Sequence, residues 1–340
     1  MAASPDPRPA ERKRHHFVPV TYLRGWASNG GKLHAYVSDR PDRPLHVRPE
    51  EIGFENYYYS HTREDGSRDN DSFEELFGTI ETRWPLVRNA LDTRLLGPEA
   101  LHWLYSMLTL MRTRVPAARD YNEALMALET RTSLKVFAQM GKLPTKLKRY
   151  EGDLDTVEVT VNRQRTLATM SKDMGRFAEL IRRLGFEILS DETGTGFLTS
   201  DNPVAYYDPD DPGIRRPYTG SDKVELYFPL SSRHVLHGST RLLRLGQVPR
   251  FNPITDVAVV RKLNRITARF AYRLAFAADR VHDSLVLQHA ATSPVLKARV
   301  VRKPREIQYH IGHQFAPRPL LPKFRPENCE GDLYEEDFDD

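Results

Sequence analysis

Two short segments, one near the start of the chain and one in its second half, carry the side chains best suited to chemistry. The first, RKRHHFVPVTYLRGWA, places His15 and His16 before an apolar stretch and Arg24 near its end. An imidazole exchanges protons near neutral pH, and a guanidinium binds phosphate or carboxylate through paired hydrogen bonds. Neighbouring side chains point in different directions, so the two histidines are not expected to share one metal ion. The alternative is that both are ordinary hydrogen-bonded residues at the edge of an apolar segment.

The second segment, FLTSDNPV, gathers three candidate catalytic residues, Ser200, Asp201 and Asn202, at the end of a predicted strand. Pro203 favours an extended conformation for the residue before it, which keeps that residue out of a helix. Asp201 is able to act as a base or to bind a divalent metal ion, with His16 as a second ligand. Ser200 lacks the flanking glycines of a nucleophile elbow. The alternative is an Asx-type turn, in which Asp201 bonds only its own backbone.

The composition is that of a globular chain. Its 340 residues are 39% hydrophobic, which is enough for a substantial core. A membrane helix needs about 20 consecutive apolar residues, and no such stretch is present. The single cysteine, Cys329, excludes an internal disulfide framework and a cysteine-based zinc site. We therefore predict a cytoplasmic protein that has no association with a membrane.

The charge of the chain is unevenly distributed. The segment ENCEGDLYEEDFDD holds 8 acidic residues and no basic one, so the remaining 50 basic and 38 acidic residues have a net charge of +12. A body this basic favours an anionic ligand or nucleic acid as partner. A predicted helix adds a row of arginines that either follows a phosphate backbone or is a plain solvated face: Arg261, Arg265, Arg269 and Arg273.

The order of helical and strand-like patterns predicts an α+β fold. The alternating runs KLHAYV and PLHVRP, separated by SDRPDR, predict an N-terminal β-hairpin. Apolar residues at helical spacing then predict a central helical bundle, short β-rich runs predict an antiparallel β-meander, and a last apolar stripe predicts a long C-terminal helix. The chain is predicted to divide into a disordered basic arm at 1–14, a single domain at 15–315 and an acidic disordered tail at 316–340. Within the domain, the bundle is predicted at about 71–185, the meander at about 186–240 and the last helix at about 255–278.

Three segments, HHFVPVTYLRGWA, FLTSDNPV and YFPLSSRHVL, resemble in this order an uncharacterised, mainly bacterial family, a domain of unknown function. The resemblance extends from about His15 to Arg280, and Trp26 stands where the family pattern usually has phenylalanine. It implies no activity and no cofactor. It does select a set of positions, many of them polar, which favours a site over a packing motif: His15, His16, Pro19, Tyr22, Leu23, Arg24, Ser200, Asp201, Asn202, Pro203, Pro229, Leu230 and Ser231.

The sequence leaves two classes of function open. One is a hydrolase that acts on an anionic substrate such as a phosphodiester, with Asp201 as the base or the metal ligand. In that hydrolase His15 or His16 moves the proton, and Arg24 stabilises developing negative charge. The other is a non-catalytic module, for example in bacterial defence, that binds nucleic acid or regulates a partner. No GxxxxGK[ST], GxGxxG or HExxH motif is present, which disfavours P-loop, dinucleotide-binding and zinc-protease classes.

Overall fold

The structure is a computed structural model of the chain, and it describes residues 14–62, 68–69, 72–210, 222–242, 248–303 and 306–322. The predicted basic arm (1–14) lies outside these residues except for Arg14, and the predicted acidic tail (316–340) lies outside them except for residues 316–322. Within them the fold is α+β, as predicted, with eight α-helices and five sheets.

The elements have the following bounds along the chain. The α-helices are α1 (Val20–Leu23), α2 (Ser72–Glu81), α3 (Trp84–Asp92), α4 (Pro98–Thr113), α5 (Pro116–Gln139), α6 (Arg163–Ile181), α7 (Val257–Phe270) and α8 (Asp283–His289). The strands are β1 (Arg14–His16), β2 (Leu33–Val37), β3 (Leu45–Val47), β4 (Phe54–Asn56), β5 (His61–Thr62), β6 (Arg68–Asp69), β7 (Gly185–Asp191), β8 (Thr199–Ser200), β9 (Ala205–Tyr207), β10 (Glu225–Pro229), β11 (His234–Ser239), β12 (Arg250–Ile254), β13 (Leu274–Ala277), β14 (Ser293–Lys303) and β15 (Glu306–Ala316). Short 3₁₀ turns lie at Arg24–Trp26, Pro49–Glu51 and Thr145–Tyr150.

Proline residues mark the starts of the central helices. Pro85 is the second residue of α3, and Pro98 and Pro116 are the first residues of α4 and α5. Proline fits there because the first amides of a helix have no intrahelical partner. Helix α4 lies at the centre of the bundle, in contact with α2, α3, α5 and α6. In the described part of the chain, no helix combines enough length and apolar character to cross a membrane.

The predicted N-terminal hairpin is present and belongs to a four-stranded sheet. Strands β2 and β3 pair antiparallel, with Leu33 opposite Val47, and the order of the sheet is β3-β2-β13-β8. Strand β13 comes from the second half of the chain and pairs with β2 on one side and β8 on the other. The histidine segment pairs elsewhere: β1 lies against β4, with His15 opposite Glu55. Residues from both halves of the chain therefore build one sheet.

The strands of the second half form a mixed sheet, in which the pairs inside the predicted meander at about 186–240 are antiparallel and the parallel strand β12 lies outside that range. The order is β12-β7-β11-β10-β9, in which β12 runs parallel to β7 and the other pairs are antiparallel. Strand β8 leaves this sheet and pairs with β13. Short alternating runs predict strands, but the choice of partner depends on contacts between distant segments.

The predicted long C-terminal helix at about 255–278 is wrong in its length and in its place at the end of the fold. Helix α7 ends at Phe270, the chain then forms β13, and the described residues end just after the β14–β15 hairpin. The cause is a set of tertiary hydrogen bonds. Nδ2 of Asn202 donates to the carbonyl of Phe270 (2.8 Å), and the carboxylate of Asp201 accepts from the amides of the two residues Tyr272 and Arg273 (2.9 Å each). These bonds hold the chain extended where the apolar spacing alone favours a helix.

The five-stranded sheet carries a histidine between two glutamates. Nδ1 of His237 lies 2.6 Å from Oε1 of Glu187, and Nε2 lies 2.6 Å from Oε2 of Glu225. Burial is the largest influence on the pKa of His237 and lowers it, but the two carboxylates together outweigh burial and raise the pKa above its usual value. The imidazole is therefore held as a cation that donates from both nitrogens.

We expect His237 to make the stability of the protein depend on pH. Because its folded-state pKa is raised, its contribution is fully present below the unfolded pKa of about 6.5 and is lost as pH rises through the folded-state pKa. His237→Gln should flatten this fall in the free energy of unfolding, measured by urea titration from pH 6 to pH 9. His310→Gln, on an exposed position of β15, is the matched control. An unaltered pH profile in His237→Gln would contradict the charged imidazole.

Candidate functional site

Strand β1 holds the two predicted histidines in different surroundings. His15 is fully buried, its Nδ1 accepts from the amide of Tyr59 (2.9 Å), and its ring stacks on the Tyr59 ring. His16 is half-buried against Phe54, and its Nε2 has no hydrogen-bond partner among the described residues. Burial lowers the pKa of His16, although a hydrogen bond to the backbone of Glu50 opposes this effect. His16 is therefore predominantly neutral at pH 7.

Arg24, the predicted cation of the same motif, lies at the surface. Its Nη2 donates to Oε1 of Glu50 at 2.9 Å, and both side chains are about half exposed. An ion pair this exposed stabilises a protein by about 0–1 kcal/mol. Glu50 links Arg24 to His16, because its carboxylate pairs with the former and its backbone bonds the latter.

Arg114, which no sequence motif indicated, ties the histidine segment to the helical bundle. Its fully buried guanidinium donates to the carboxylate of Glu81 and to the carbonyl of His16. Its Nε also donates to the hydroxyl of Tyr59 at 3.3 Å, and the guanidinium carbon lies 4.4 Å from the centroid of the Phe77 ring. The carbonyl oxygen of His16 therefore has a buried cation as its partner.

The junction of α4 and α5 buries three arginines within the short segment RTRVPAAR. The exposed fractions of Arg112, Arg114 and Arg119 are 8%, 2% and 7%. Nη1 of Arg119 donates to the carbonyl of Tyr58 (2.9 Å), and Nη2 of Arg112 donates to the hydroxyl of Tyr206 (3.3 Å). Arginine is almost never buried without partners, so arginines directly after the apolar run LTLM are a signal that sequence analysis can use.

The residues Ser200, Asp201 and Asn202 are all buried, and they connect backbone segments. Besides the two amides that its carboxylate binds, Asp201 donates its own amide to the carbonyl of Leu274 (3.0 Å). The amide of Asn202 donates to Oγ of Ser200 (3.2 Å). Burial raises the pKa of Asp201 to about 6, and backbone amide donors oppose that rise. At neutral pH the carboxylate is ionised, and its partners lie in a distant segment instead of its own turn.

The motif segments from the two halves of the chain meet in one packed junction. The hydroxyl of Tyr22 lies 2.6 Å from Oγ1 of Thr199 and donates to the carbonyl of Pro229 (2.7 Å). The indole Nε1 of Trp26 donates to the carbonyl of Phe197 (2.7 Å). Each of the three segments that carry the resemblance thus contributes to the same buried set of hydrogen bonds, and these positions stabilise the fold.

A row of charged side chains connects the histidine strand to Asp201. The guanidinium of Arg273 pairs with the carboxylate of Glu55 and lies 3.5 Å from Oδ2 of Asp120. Glu55 is the cross-strand partner of His15, and the backbone amide of Arg273 donates to Asp201. The side chains of the three charged residues in the row are partly exposed. The row therefore connects the segments that carry His15 and Asp201, and it reaches solvent.

A cleft of about 330 Å³ lies beside this row, between α5 and the β14–β15 hairpin. Volumes of about 300–1,000 Å³ are usual for sites that bind small molecules. The walls are mainly apolar and aromatic, and Asp120 and Gln314 are their polar side chains apart from two tyrosine hydroxyls. We call this space the hairpin cleft, and it is lined by Ala117, Asp120, Tyr121, Ala124, Tyr272, Pro294, Val295, Leu296, Gln314, Ala316, Pro317, Pro319 and Leu321.

Asp120 is held in place at the wall of the hairpin cleft. Its Oδ2 accepts from the hydroxyl of Tyr272 at 2.7 Å and lies 3.5 Å from Nη2 of Arg273. Burial raises the pKa of Tyr272 well above its usual value, so the phenol stays a hydrogen-bond donor. Nη1 of Arg318 donates to the carbonyl of Tyr272 (2.9 Å), which fixes the same aromatic residue from the other end. The carboxylate is thus oriented by neighbours on two sides.

A smaller cavity of about 30 Å³ lies next to the hairpin cleft and shares three lining residues with it: Ala117, Tyr121 and Pro294. We call it the inner cavity. The motif residue Asn202 and the buried Arg112 line it, together with Val204, Tyr206, Phe270 and His313. Neither His16 nor Asp201 lines the hairpin cleft or the inner cavity. Of the predicted site residues, Asn202 is the one that lines either space.

The described residues contain no group of three or more His, Cys, Asp or Glu side chains arranged to hold a metal ion. Each carboxylate oxygen of Asp201 also accepts from a backbone amide. The use of Asp201 and His16 as ligands of a divalent metal ion stays a prediction.

The predicted row of four arginines is present only in part. Arg261 and Arg265 are exposed on α7, with Lys262 beside them, but Arg269 is half-buried and lies over an aromatic ring of the hairpin. Arg273 lies beyond the end of the helix, in the charged row. The row is broken because α7 ends early, so the four-residue spacing no longer places the last side chain on the same face.

Residues 14–281 match a family model described as "Protein of unknown function (DUF4238)". The chain belongs to this family, and the resemblance that the motifs predicted is confirmed. A comparison with curated proteins and a comparison with solved structures each found no match. The β14–β15 hairpin lies outside the matched residues. The hairpin cleft is therefore formed between the family domain and a segment that follows it.

Proposed function

We propose that the protein is a hydrolase that binds a small organic anion in the hairpin cleft. The observation that carries this proposal is the position of Asp120, whose carboxylate lines a cleft of about 330 Å³ and is oriented by the hydroxyl of Tyr272. An oriented carboxylate beside a largely apolar space is able to act as a general base. The net charge of +12 without the acidic end segment supports an anionic ligand.

The proposed reaction uses water as the nucleophile. Asp120 accepts a proton from the water whose oxygen attacks the electrophilic centre of the bound ester. The bond to the leaving oxygen breaks, and this oxygen departs with the bonding electron pair and takes a proton from solvent. Arg273, which lies 3.5 Å from Asp120, balances its negative charge before the proton is transferred. The aromatic rings of Tyr121 and Tyr272 form a wall for the organic part of the ligand.

The proposal keeps the predicted reaction class and assigns the base to a different residue. The sequence motif favoured Asp201, but both of its carboxylate oxygens bind backbone amides and neither described space is lined by it. Asp120 has no motif around it in the sequence. It is connected to Asp201 through Arg273, which contacts the first with its side chain and the second with its backbone.

We expect Asp120→Asn to lower kcat/KM by about 10²-fold or more, because loss of a positioned general base typically costs this much. The measurement is a screen with chromogenic phosphate monoesters, phosphate diesters and carboxylic esters, followed by kinetics on the best substrate. Glu129→Gln, which changes an exposed carboxylate on the same helix, is the matched control. Unchanged kcat/KM in Asp120→Asn would exclude this residue as the base.

A second variant tests whether the ligand occupies the hairpin cleft. Ala124 lines the hairpin cleft from α5, so Ala124→Trp fills the cleft without removing a core contact. We expect it to abolish turnover and ligand binding with little change in Tm. Ala127→Trp lies on the same helix outside the lining and should keep both. Full activity in Ala124→Trp would place the reaction elsewhere.

The alternative remains a nucleic-acid-binding module. It draws on Arg261, Lys262 and Arg265, which are exposed on α7 and have no ion pair with any acidic residue in the described ranges. Its signature is affinity that falls steeply with salt concentration. We also propose a cytoplasmic location for either function, because a chain with one cysteine has no need of an oxidising compartment.

A further inference from the structure

We propose that one face of the β14–β15 hairpin is a docking surface for the acidic end segment of the same chain, residues 327–340. In this arrangement the chain's own carboxylates neutralise the hairpin. Three observations support it: the unpaired cations of this face, the place where the described chain ends, and the reach and charge of the segment that follows. The contact does not depend on what the hairpin cleft binds, so it is independent of the proposed hydrolase.

The two faces of the hairpin differ in polarity. Side chains alternate between the faces of a strand, so Lys297 and Arg299 of β14 share one face with His310, the cross-strand partner of Arg299. All three residues are exposed. We call this surface the basic face. The opposite face carries half-buried apolar side chains: Ala298, Val300, Ile307, Tyr309 and Ile311.

The cations at the centre of the basic face are not neutralised by acidic neighbours. Lys297 and Arg299 have no ion pair with an acidic side chain in the part of the chain that the structure describes. Lys303, further along the same face, does pair with Glu306 at 3.4 Å. Two unpaired cations on adjacent positions of one strand face attract negative charge. The basic face therefore favours an acidic partner.

The described chain ends beside this hairpin. Leu321 lines the hairpin cleft together with Val295 and Gln314, a cross-strand pair on the same face as Lys297. The described residues end at the next position, Pro322. The rest of the chain therefore starts close to the base of the hairpin.

The acidic segment is long enough to reach the basic face. Lys297 and Arg299 lie about 14 and 20 Å along β14 from Ser293, the first residue of the hairpin. An extended chain spans about 3.4 Å for each residue, so Glu327 reaches about 17 Å beyond Pro322 and the last residue about 60 Å. The 8 acidic residues of the segment are therefore within reach of both cations.

A second exposed basic surface, on α7, faces a different neighbour. Burial is the main cause that lowers the pKa of His282 and His289, and Arg261 and Arg265 respectively lower it further. These histidines lie at the two ends of α8, so the two arginines of α7 face α8. A tethered segment has its highest effective concentration near its point of attachment, which favours the hairpin.

The test uses Cys329, the single cysteine of the chain, which lies in the acidic segment. A nitroxide attached to this thiol broadens the NMR signals of nearby amides in the full chain. At 25 mM NaCl we expect the signals of residues 295–301 to lose about half of their intensity or more. They should recover at 1 M NaCl, where the Debye length is about 3 Å. No loss at low salt, or a loss that salt does not reverse, would overturn the docking.

Two double variants locate the docking surface. Lys297→Gln combined with Arg299→Gln removes both cations of the basic face, so the loss of intensity at low salt should disappear. Arg261→Gln combined with Arg265→Gln removes the same charge from exposed positions of α7 and is the matched control. It should leave the loss of intensity unchanged. If the loss persists in the hairpin variant and disappears in the α7 variant, the proposed surface is wrong.

A mixed sample distinguishes the same chain from a second copy. Spin-labelled protein without ¹⁵N, mixed with unlabelled ¹⁵N protein, reports contacts between copies alone. We expect no broadening of residues 295–301 in this sample at low salt. Broadening as strong as in the labelled ¹⁵N protein would identify a second copy as the partner and overturn docking within one chain.

Discussion

Asp201→Asn is expected to lower the free energy of unfolding by about 3–5 kcal/mol, because one of two buried amides loses its acceptor and the other exchanges a bond to a charged oxygen for a weaker, neutral one. The carboxylate of Asp201 accepts one hydrogen bond from the amide of Tyr272 and one from the amide of Arg273. An asparagine offers one oxygen and turns its NH₂ group towards the other amide, where two donors face each other. The measurement is urea unfolding at pH 7.5. The slope of the free energy of unfolding against urea concentration should be the same for the variant and the parent protein.

The control for this change is Asp42→Asn, an exposed aspartate whose ion-pair partner, Arg43, is also exposed. We expect its effect to stay within about 0.5 kcal/mol. If Asp201→Asn unfolds like the parent protein and loses activity, the carboxylate is catalytic and its structural role is wrong. A large loss of stability explains instead why the motif contains an aspartate: it ends α7 and starts β13.

Arg114→Met is expected to lower the free energy of unfolding by a similar amount, about 3–5 kcal/mol. Removing one partner of a buried ion pair leaves the other groups unpaired. Arg114→Met keeps the apolar stem but leaves the carboxylate of Glu81, the carbonyl of His16 and the hydroxyl of Tyr59 without their cationic donor. The measurement is again urea unfolding. Thermal unfolding followed by circular dichroism gives an independent value.

Arg24→Met is the informative comparison, because Arg24 belongs to the sequence motif and Arg114 does not. Its exposed pair with Glu50 contributes about 0–1 kcal/mol, so the variant should unfold close to the parent. If Arg24→Met lowers the free energy of unfolding more than Arg114→Met does, burial does not decide how much each arginine contributes to stability. We expect the larger loss of stability for Arg114→Met, although Arg24 belongs to the sequence motif and Arg114 does not. Membership of the motif is then a poor guide to how much a residue stabilises the protein.

Part of the candidate site could be predicted from the sequence, and part could not. The motifs selected the segments that meet at the core of the fold, and Asn202, one of their residues, lines the inner cavity. The buried arginines at RTRVPAAR gave a readable signal in their position after an apolar run. No sequence signal indicated Asp120. It lies in a polar stretch of α5, and its role depends on Tyr272 and Arg273, which are over 150 residues away.

The sequence by itself determined the α+β class, the starts of the central helices, the first hairpin and the family. These follow from local patterns, because apolar spacing fixes the period of an element and proline fixes where a helix starts. Only the tertiary structure decided where α7 ends, which strands pair, what Asp201 binds and where a cleft opens. These outcomes depend on hydrogen bonds and packing between distant residues, such as Asn202 and Phe270, 68 positions apart, and Tyr22 and Pro229, 207 positions apart, which no local pattern encodes.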